Sequence, residues 1–583
     1  MESIDILNDD GTLNEAAQLY VGEDRFVVRK KIAKELKAQE FLVKEESYVN
    51  NVGFSERTDA VIEPKISTQW FVNMQDLTKP AYEHVMNDDV QLVPPKFKNM
   101  YRHWMENVRD WCISRQLWWG QRIPAWHLPN GEFVVAKTPQ EALVLAKKKD
   151  ASYTLHDLKQ DEDVLDTWFS SGLWPITVFN GILEPDNEEI NYYYPTNDLV
   201  TAPEILFFWV ARMIMYGYEY RGEKPFKNVY LTGIVRDKQG RKMSKSLGNS
   251  PDPIELMKLY GADGVRTGML FSSPAGNDLP FDEKLCEQGR NFSNKVWNAF
   301  RLVKGWEVDD SLSGDTNATS VAWFESRYNE ALLEIEDHFK KFRISDALMT
   351  VYKLVWNDFC SWYLEMIKPD YQQPIDAKTY AKTLEFFEKV VKVLHPFMPF
   401  VSEEIWHGLA DRGENECLII APWPEAGEVD KSLLNEAELI FEMVTQIRNL
   451  RNAKQISPKV ELSLLIKSSD TSKFSHFSTV LKKMANLNAV SFGSEAPNNA
   501  FSFVIKGDEF FVPLEGQIDA GQTKENLLKE IDYTRGFLST VDKKLSNERF
   551  VNNAPEQVVA NEKKKQADAA AKLKALEAQL AAL

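Results

Sequence analysis

Cysteine is scarce in this sequence: Cys112, Cys286, Cys360 and Cys417 are the only four in 583 residues. They lie far apart, with no C-x-x-C and no nearby histidine pattern, which excludes a disulfide framework and a zinc knuckle. A reducing, cytoplasmic compartment and no structural zinc are therefore expected. Also missing is any run of roughly 20 apolar residues, the length a spanning helix needs. The opening MESIDILNDDGTLNE is acidic and has no apolar signal core, so no membrane partner is expected. Net positive charge is absent too: 69 Lys and Arg against 87 Asp and Glu give −18. That excludes a general nucleic-acid coat but not a local basic groove. Apolar residues are plentiful, at 44% hydrophobic and 12% aromatic, so the chain is globular, and its length calls for several domains.

Residues 1–65 hold one amphipathic helix, DRFVVRKKIAKELKAQEF, flanked by short strands, too little for an independent core. Residues 66–160 are rich in tryptophan, as in YRHWMENVRDWCISRQLWWGQRIPAW, and read as a connecting stalk. Over 161–285 the pattern is α/β. DLVT leads into the helix PEILFFWVARMIMYGYEY, NVYLTGIV into a glycine-bearing loop, and the helix DPIELMKLYG follows. This order predicts part of a parallel, doubly wound sheet with ligands at the strand C-termini.

Residues 286–430 are helical. Phe292, Val296, Phe300 and Val303 make one apolar stripe. Leu348, Tyr352, Val355, Phe359, Trp362 and Met366 make another at core-facing α-helical spacing. LHPFMPF breaks the chain, and Ser402 is expected to cap the helix EEIWHGL. Residues 431–520 add the helix EAELIFEMVTQIRNLRN and a small α/β unit, with strands VELSLLIK and FSFVIKGDEFFVPL around the helix FSTVLKKMANL. In 521–583, Leu527, Ile531, Leu538, Val541 and Leu545 face Leu573, Leu576, Leu580 and Leu583, predicting an antiparallel coiled-coil hairpin.

The chemistry concentrates in RDKQGRKMSKSLGN, from Arg236 to Asn249, with five cations and two glycines. Gly240 supplies a turn, and Lys242 and Lys245 stand three apart with Ser244 and Ser246 beside them. Ammonium groups, hydroxyls and free backbone N–H donors before a helix suit a polyphosphate. A solvated basic loop is the bland alternative for any K-x-x-K.

GRKMSKSLGN resembles the second signature of class I aminoacyl-tRNA synthetases. RDWCISRQLWWGQRIPAW, DVLDTWFSSGLWP, FFWVARMIM, NFSNKVWNAFR, WNDFCSWYLE and LHPFMPF narrow the resemblance to the valyl-tRNA synthetases, over essentially the whole chain. Isoleucyl-type enzymes share several of these strings, and the doubled tryptophan and terminal hairpin favour valine. The resemblance implies multidomain α/β plus all-α architecture. Its parts would be the second half of a Rossmann-type catalytic domain, a helical anticodon-binding bundle, a small α/β unit and a tRNA-binding arm. Residues 1–65 would be the tail of an inserted editing domain.

It also implies roles. Lys242 and Lys245 would be catalytic, and Lys242, Met243, Ser244, Lys245, Ser246 and Glu204 would bind ATP, which arrives with Mg²⁺. Trp168, Ile205 and Trp209 would wall the valine pocket, with ordinary core packing as the alternative. Lys563, Lys564 and Lys565 would touch tRNA(Val), with a solvated helix face as the alternative. A monomer is expected.

Three departures matter. The family commonly has T-G-x-D-I before the site helix, and this chain reads Thr201-Ala202-Pro203-Glu204-Ile205. None of its eight histidines has another three residues on, so the first signature, H-x-G-H, is absent. The threonine-rich editing loop is absent too. In this family a valine pocket alone rejects threonine only about 10²-fold, a figure established for the enzyme and not obtained from this sequence. The expectation is a C-terminal portion of a synthetase, with a missing N-terminal half as a partner, inactive in valyl-adenylate formation by itself. A non-catalytic tRNA-binding module and an isoleucyl-type enzyme are the alternatives.

Overall fold

The computed structural model describes residues 4–55, 58–244, 247–454, 456–497, 500–513, 520–547, 550 and 556–581. In its last two helices it describes the side chains of 528–547, 558–578 and 580–581. The chain forms two compact units: residues 1–199 with 204–229, and residues 200–203 with 230–583.

In the first unit, Asp24 accepts from Phe26 N and Val27 N and so starts the helix Arg25–Ala38. Only Val28 of that helix is buried, in keeping with a segment too small for its own core. The predicted flanking strands are not formed among the described residues. Isolated bridges at Leu7–Leu13, Thr12–Asp24 and Phe54–Val61 stand in their place, because such short segments have no neighbouring sheet to extend. Further on, helices Met74–Met86 and Phe97–Glu106 bracket the strand Gln91–Val93.

That strand joins a three-stranded sheet in the order Gln91–Val93, Phe226–Leu231, Thr196–Thr201. Thr196 N donates to Pro225 O and Thr232 N to Thr201 O, which makes the latter two strands parallel, as the α/β pattern predicts. The connection between them differs from the single α-helix expected. A 3₁₀ turn Pro203–Ile205 and a π-helical stretch Leu206–Ala211 precede the α-helix Arg212–Arg221. Leu206, Val210 and Ala211 are buried while Phe208 is exposed. π-Bulges of this kind occur mostly at functional sites.

In the second unit, strands Val235–Arg236 and Leu279–Pro280 pair in parallel. Asp252 caps the helix Pro253–Tyr260, and Ala262–Phe271 follows. This second helix crosses Glu283–Lys304 at glycines: a Cβ on Gly268 would lie 2.6 Å from Cys286 N, and one on Gly289 would lie 2.4 Å from Gly264 O. Asp263, buried, accepts from Phe400 N (3.2 Å) and Val401 N (2.7 Å) and so caps the helix Pro399–Leu409 from outside.

Ser402 therefore does not cap that helix. Pro399 starts it one turn earlier, since a proline at the first helical position costs no donor and its φ is already set. Ser402 sits buried inside, donating to Met398 O at 2.7 Å and meeting His395 Nδ1 at 2.8 Å.

The bundle core gathers the predicted stripes. Phe292, Val296, Val303, Leu348, Val355, Phe359 and Met366 are buried in one cluster, with Phe300, Tyr352 and Trp362 packed against it. Lys353–Tyr363 is π-helical, not α-helical, yet keeps the expected face inward. The small α/β unit has strand order Leu487–Phe492, Leu462–Lys467, Asp508–Pro513, Ala500–Ile505. The terminal helices Ala520–Leu545 and Glu556–Ala581 run antiparallel, with ion pairs Arg535–Glu577 and Lys572–Glu530. Ile531 and Leu576 are buried between them, with Leu573 and Leu580 alongside. The side chains of Leu527 and Leu583 lie outside the described residues.

Candidate functional site

Asp166 organises the first candidate site. It is buried, and its carboxylate caps the helix Thr167–Ser171 through Trp168 N (3.2 Å). The same group accepts from Trp111 Nε1 (3.0 Å) and Arg115 Nη2 (2.8 Å). Trp168 is thereby fixed, half-buried, with its ring 6.2 Å from that of Phe208. Trp209 donates from Nε1 to Ser171 O at 3.0 Å and packs 5.9 Å from Trp174. Trp168 and Trp209 thus stand on two elements joined by a direct hydrogen bond. Ile205, half-exposed, and Glu204, exposed, end the 3₁₀ turn that follows the strand Thr196–Thr201.

A cavity of about 550 Å³ is lined among others by Trp104, Trp111, Phe207, Phe208, Arg109 and Arg212, and by none of Trp168, Trp209, Ile205 or Glu204. Arg212 is buried, lies 3.5 Å over the Trp111 ring and donates from Nη1 to Phe208 O at 3.0 Å. Its Nε has no partner among the described residues. Burial pulls the guanidinium down to about 10, so it stays charged at neutral pH. Sequence reading missed this stack, because 101 positions separate the partners and only the fold brings them together.

The second candidate site is the lysine-bearing segment. Asp237 N donates to Arg241 O, Gly240 N to Asp237 O and Met243 N to Val235 O, so residues 235–243 form a tight hairpin. Gly240 turns it at φ +77°, a left-handed value that favours glycine. Lys242 is exposed, and Met243 and Ser244 are half-buried. Lys245 and Ser246 lie outside the described residues. One expectation is corrected here in part: among the described residues, three of the backbone donors are not free. The N–H groups of Arg241, Met243 and Ser244 are taken by Asp237, Val235 and Asn249, so an anion would meet side chains first.

Lys563, Lys564 and Lys565 are all exposed on the last helix. Lys565 pairs with Glu562 at 2.7 Å, whereas Lys563 and Lys564 form no ion pair among the described residues. One cluster of metal-ligand types exists among the described residues: Glu403, His407 and Cys417, with ligand atoms within 4.8 Å. Those groups are engaged by protein, Glu403 by Leu418 N and His407, and Cys417 by Glu414 O. No helix among the described residues is long and apolar enough to cross a membrane.

Three family models match in series. Residues 11–282 match class I tRNA synthetases (I, L, M and V), 322–466 the anticodon-binding domain of tRNA ligase, and 519–583 the valyl tRNA synthetase tRNA-binding arm. The valine--tRNA ligase of Christiangramia forsetii is 57% identical over 589 residues, covering 100% of this chain and 67% of that protein. That of Parabacteroides distasonis is 56% identical over 586 residues, with the same coverage of each. The chain belongs to the valine--tRNA ligase family. Valine--tRNA ligases are class I enzymes that take ATP as a substrate, and the isoleucyl-type alternative falls with the match to the valyl arm. A Mycobacterium tuberculosis methionyl-tRNA synthetase bound by methionyl-adenylate overlaps 66% of this chain and 71% of its own, at 17% identity and TM-score 0.46.

Proposed function

We propose that this chain carries the triphosphate-facing and valine-facing residues of a valine--tRNA ligase. Completed by the N-terminal portion that carries the first signature, it would join L-valine to tRNA(Val) with conversion of ATP to AMP and diphosphate, and by itself it would be inactive. The observation that carries this is the hydrogen-bonded hairpin that leaves Lys242 exposed to solvent after the Val235–Arg236 strand. An exposed ammonium on a fixed backbone is what a leaving pyrophosphate needs. The valine carboxylate attacks the α-phosphate in line, the bond to the β-phosphate oxygen breaks, and charge grows on the departing diphosphate. Lys242 and Lys245 neutralise that charge, and Mg²⁺ enters with ATP as part of the substrate. Met243, Ser244 and Ser246 would complete the phosphate contacts on this segment.

Trp168, Ile205 and Trp209 would wall the aliphatic pocket. Their partial exposure supports this, since core tryptophans packed on all sides would be buried. The exposed Lys563 and Lys564, with Lys565, would meet tRNA phosphates, while the bundle would serve the anticodon stem.

The test is MgATP binding by calorimetry. Lys242→Ala removes a charge-assisted contact worth about 1.5–3 kcal/mol, so affinity should fall roughly tenfold to a hundredfold. Equal affinity of variant and parent would remove Lys242 from the site. For the pocket, Trp209→Ala should weaken valine binding, read by tryptophan fluorescence, while MgATP affinity holds. Unaltered valine binding would return Trp209 to a packing role.

A further inference from the structure

Asn249, twelve residues beyond Asp237, is half-buried and makes three hydrogen bonds with one amide group. Its Nδ2 donates to Asp237 Oδ2 at 2.9 Å and to Lys242 O at 3.3 Å, and its Oδ1 accepts from Ser244 N at 2.9 Å. Turning the amide over would set a donor against Ser244 N–H and an oxygen against a carboxylate, so the pattern fixes its orientation. Asp237 is itself buried and anchored. It accepts from Gln239 N (3.0 Å), Arg241 N (2.9 Å) and Arg241 Nε (2.8 Å). The carbonyl of Lys242 and the N–H of Ser244 are therefore tied to one side chain, and that side chain to a fixed carboxylate.

We propose that Asn249 is a positioning residue for the ligase reaction: held by Asp237, it fixes the backbone of Lys242–Ser244 and with it the direction in which the Lys242 side chain leaves the hairpin. This rests on the reading of Lys242 as a triphosphate ligand. A four-carbon lysine stem has many rotamers, and holding its root in place lowers the cost of bringing the ammonium to a phosphate oxygen. The residue touches no substrate; it acts through Lys242.

The experiment is a double-mutant cycle on the full chain, with MgATP affinity and amide hydrogen exchange as readouts. Asn249→Ala should speed exchange at Met243 and Ser244 at least tenfold and weaken MgATP roughly tenfold. In the Lys242→Ala background the added loss from Asn249→Ala should vanish, because both act through one contact. Circular dichroism checks folding. Asn249→Asp, which keeps the acceptor for Ser244 N–H but loses both donors and faces Asp237 with like charge, should behave as Asn249→Ala. Unchanged exchange, or losses that simply add across the cycle, would overturn the proposal. If Lys242→Ala leaves MgATP affinity untouched, the triphosphate reading fails instead. Exchange, which needs no nucleotide, then decides alone whether Asn249 holds the segment.

Discussion

Among single residues, Asp237 has the most to say about conditions. Hydrogen bonding from Asn249, aided by Arg241 and Gln239, holds its carboxyl at about 2 against an ordinary 3.8. A carboxylate depressed in the folded state contributes stability that is present above the unfolded value and lost as pH falls through the folded one. The hairpin should therefore keep its staple from neutral pH down to about 4 and lose it only near 2. The Asp237 carboxyl carbon resonance checks this, and a midpoint above 3.8 would contradict it. The lysines stand out as candidates in the sequence alone, because K-M-S-K-S after a strand and a turn glycine is a specific string. The staple could not. Asn249 reads as one more loop asparagine until the chain folds back and its amide meets three groups at once. Arg212 over Trp111 is hidden for the same reason.

Elements follow the sequence where periodicity is long. The stripe from Leu348 to Met366 faces the core as its spacing requires, although Lys353–Tyr363 widens to π geometry. An apolar stripe reports which face is buried, and a local gain of one residue per turn barely moves it. Short strands fail. Gln91–Val93 is too brief to show alternation, and Leu487–Phe492 reads LNAVSF with four of its six residues exposed. The glycine crossing between Ala262–Phe271 and Glu283–Lys304 carries its own expectation. Gly268→Ala would drive a methyl into the Cys286 backbone, and overpacking of this kind costs about 1–3 kcal/mol. Chemical denaturation should show that loss as a lower midpoint, and an unshifted midpoint would mean that the helices part easily.

At the scale of the whole molecule, the proposed tRNA partner would have to bind a chain of formal charge −18. The terminal helices offer the local remedy, with Lys563, Lys564 and Lys565 exposed in a row. Replacing all three with alanine should weaken tRNA binding and lower the salt slope by up to about three units, less whatever Glu562 already takes from Lys565. An identical slope across a salt titration would remove these lysines from the interface. Trp118 and Trp119, fully exposed, are the opposite kind of surface, apolar and uncharged.

The carboxylate of Asp263 begins a helix 136 positions further along the chain, and Gly264 and Gly268 sit flush against the helix that leads into the bundle. The boundary suggested by the change of pattern near residue 285 runs inside the single helix Glu283–Lys304. The helix Ala262–Phe271 and the bundle are consequently poor candidates for exchange between related genes. A recombination event that swapped one without the other would have to rebuild a glycine crossing and a cap together. Their inheritance as one block is built into the packing.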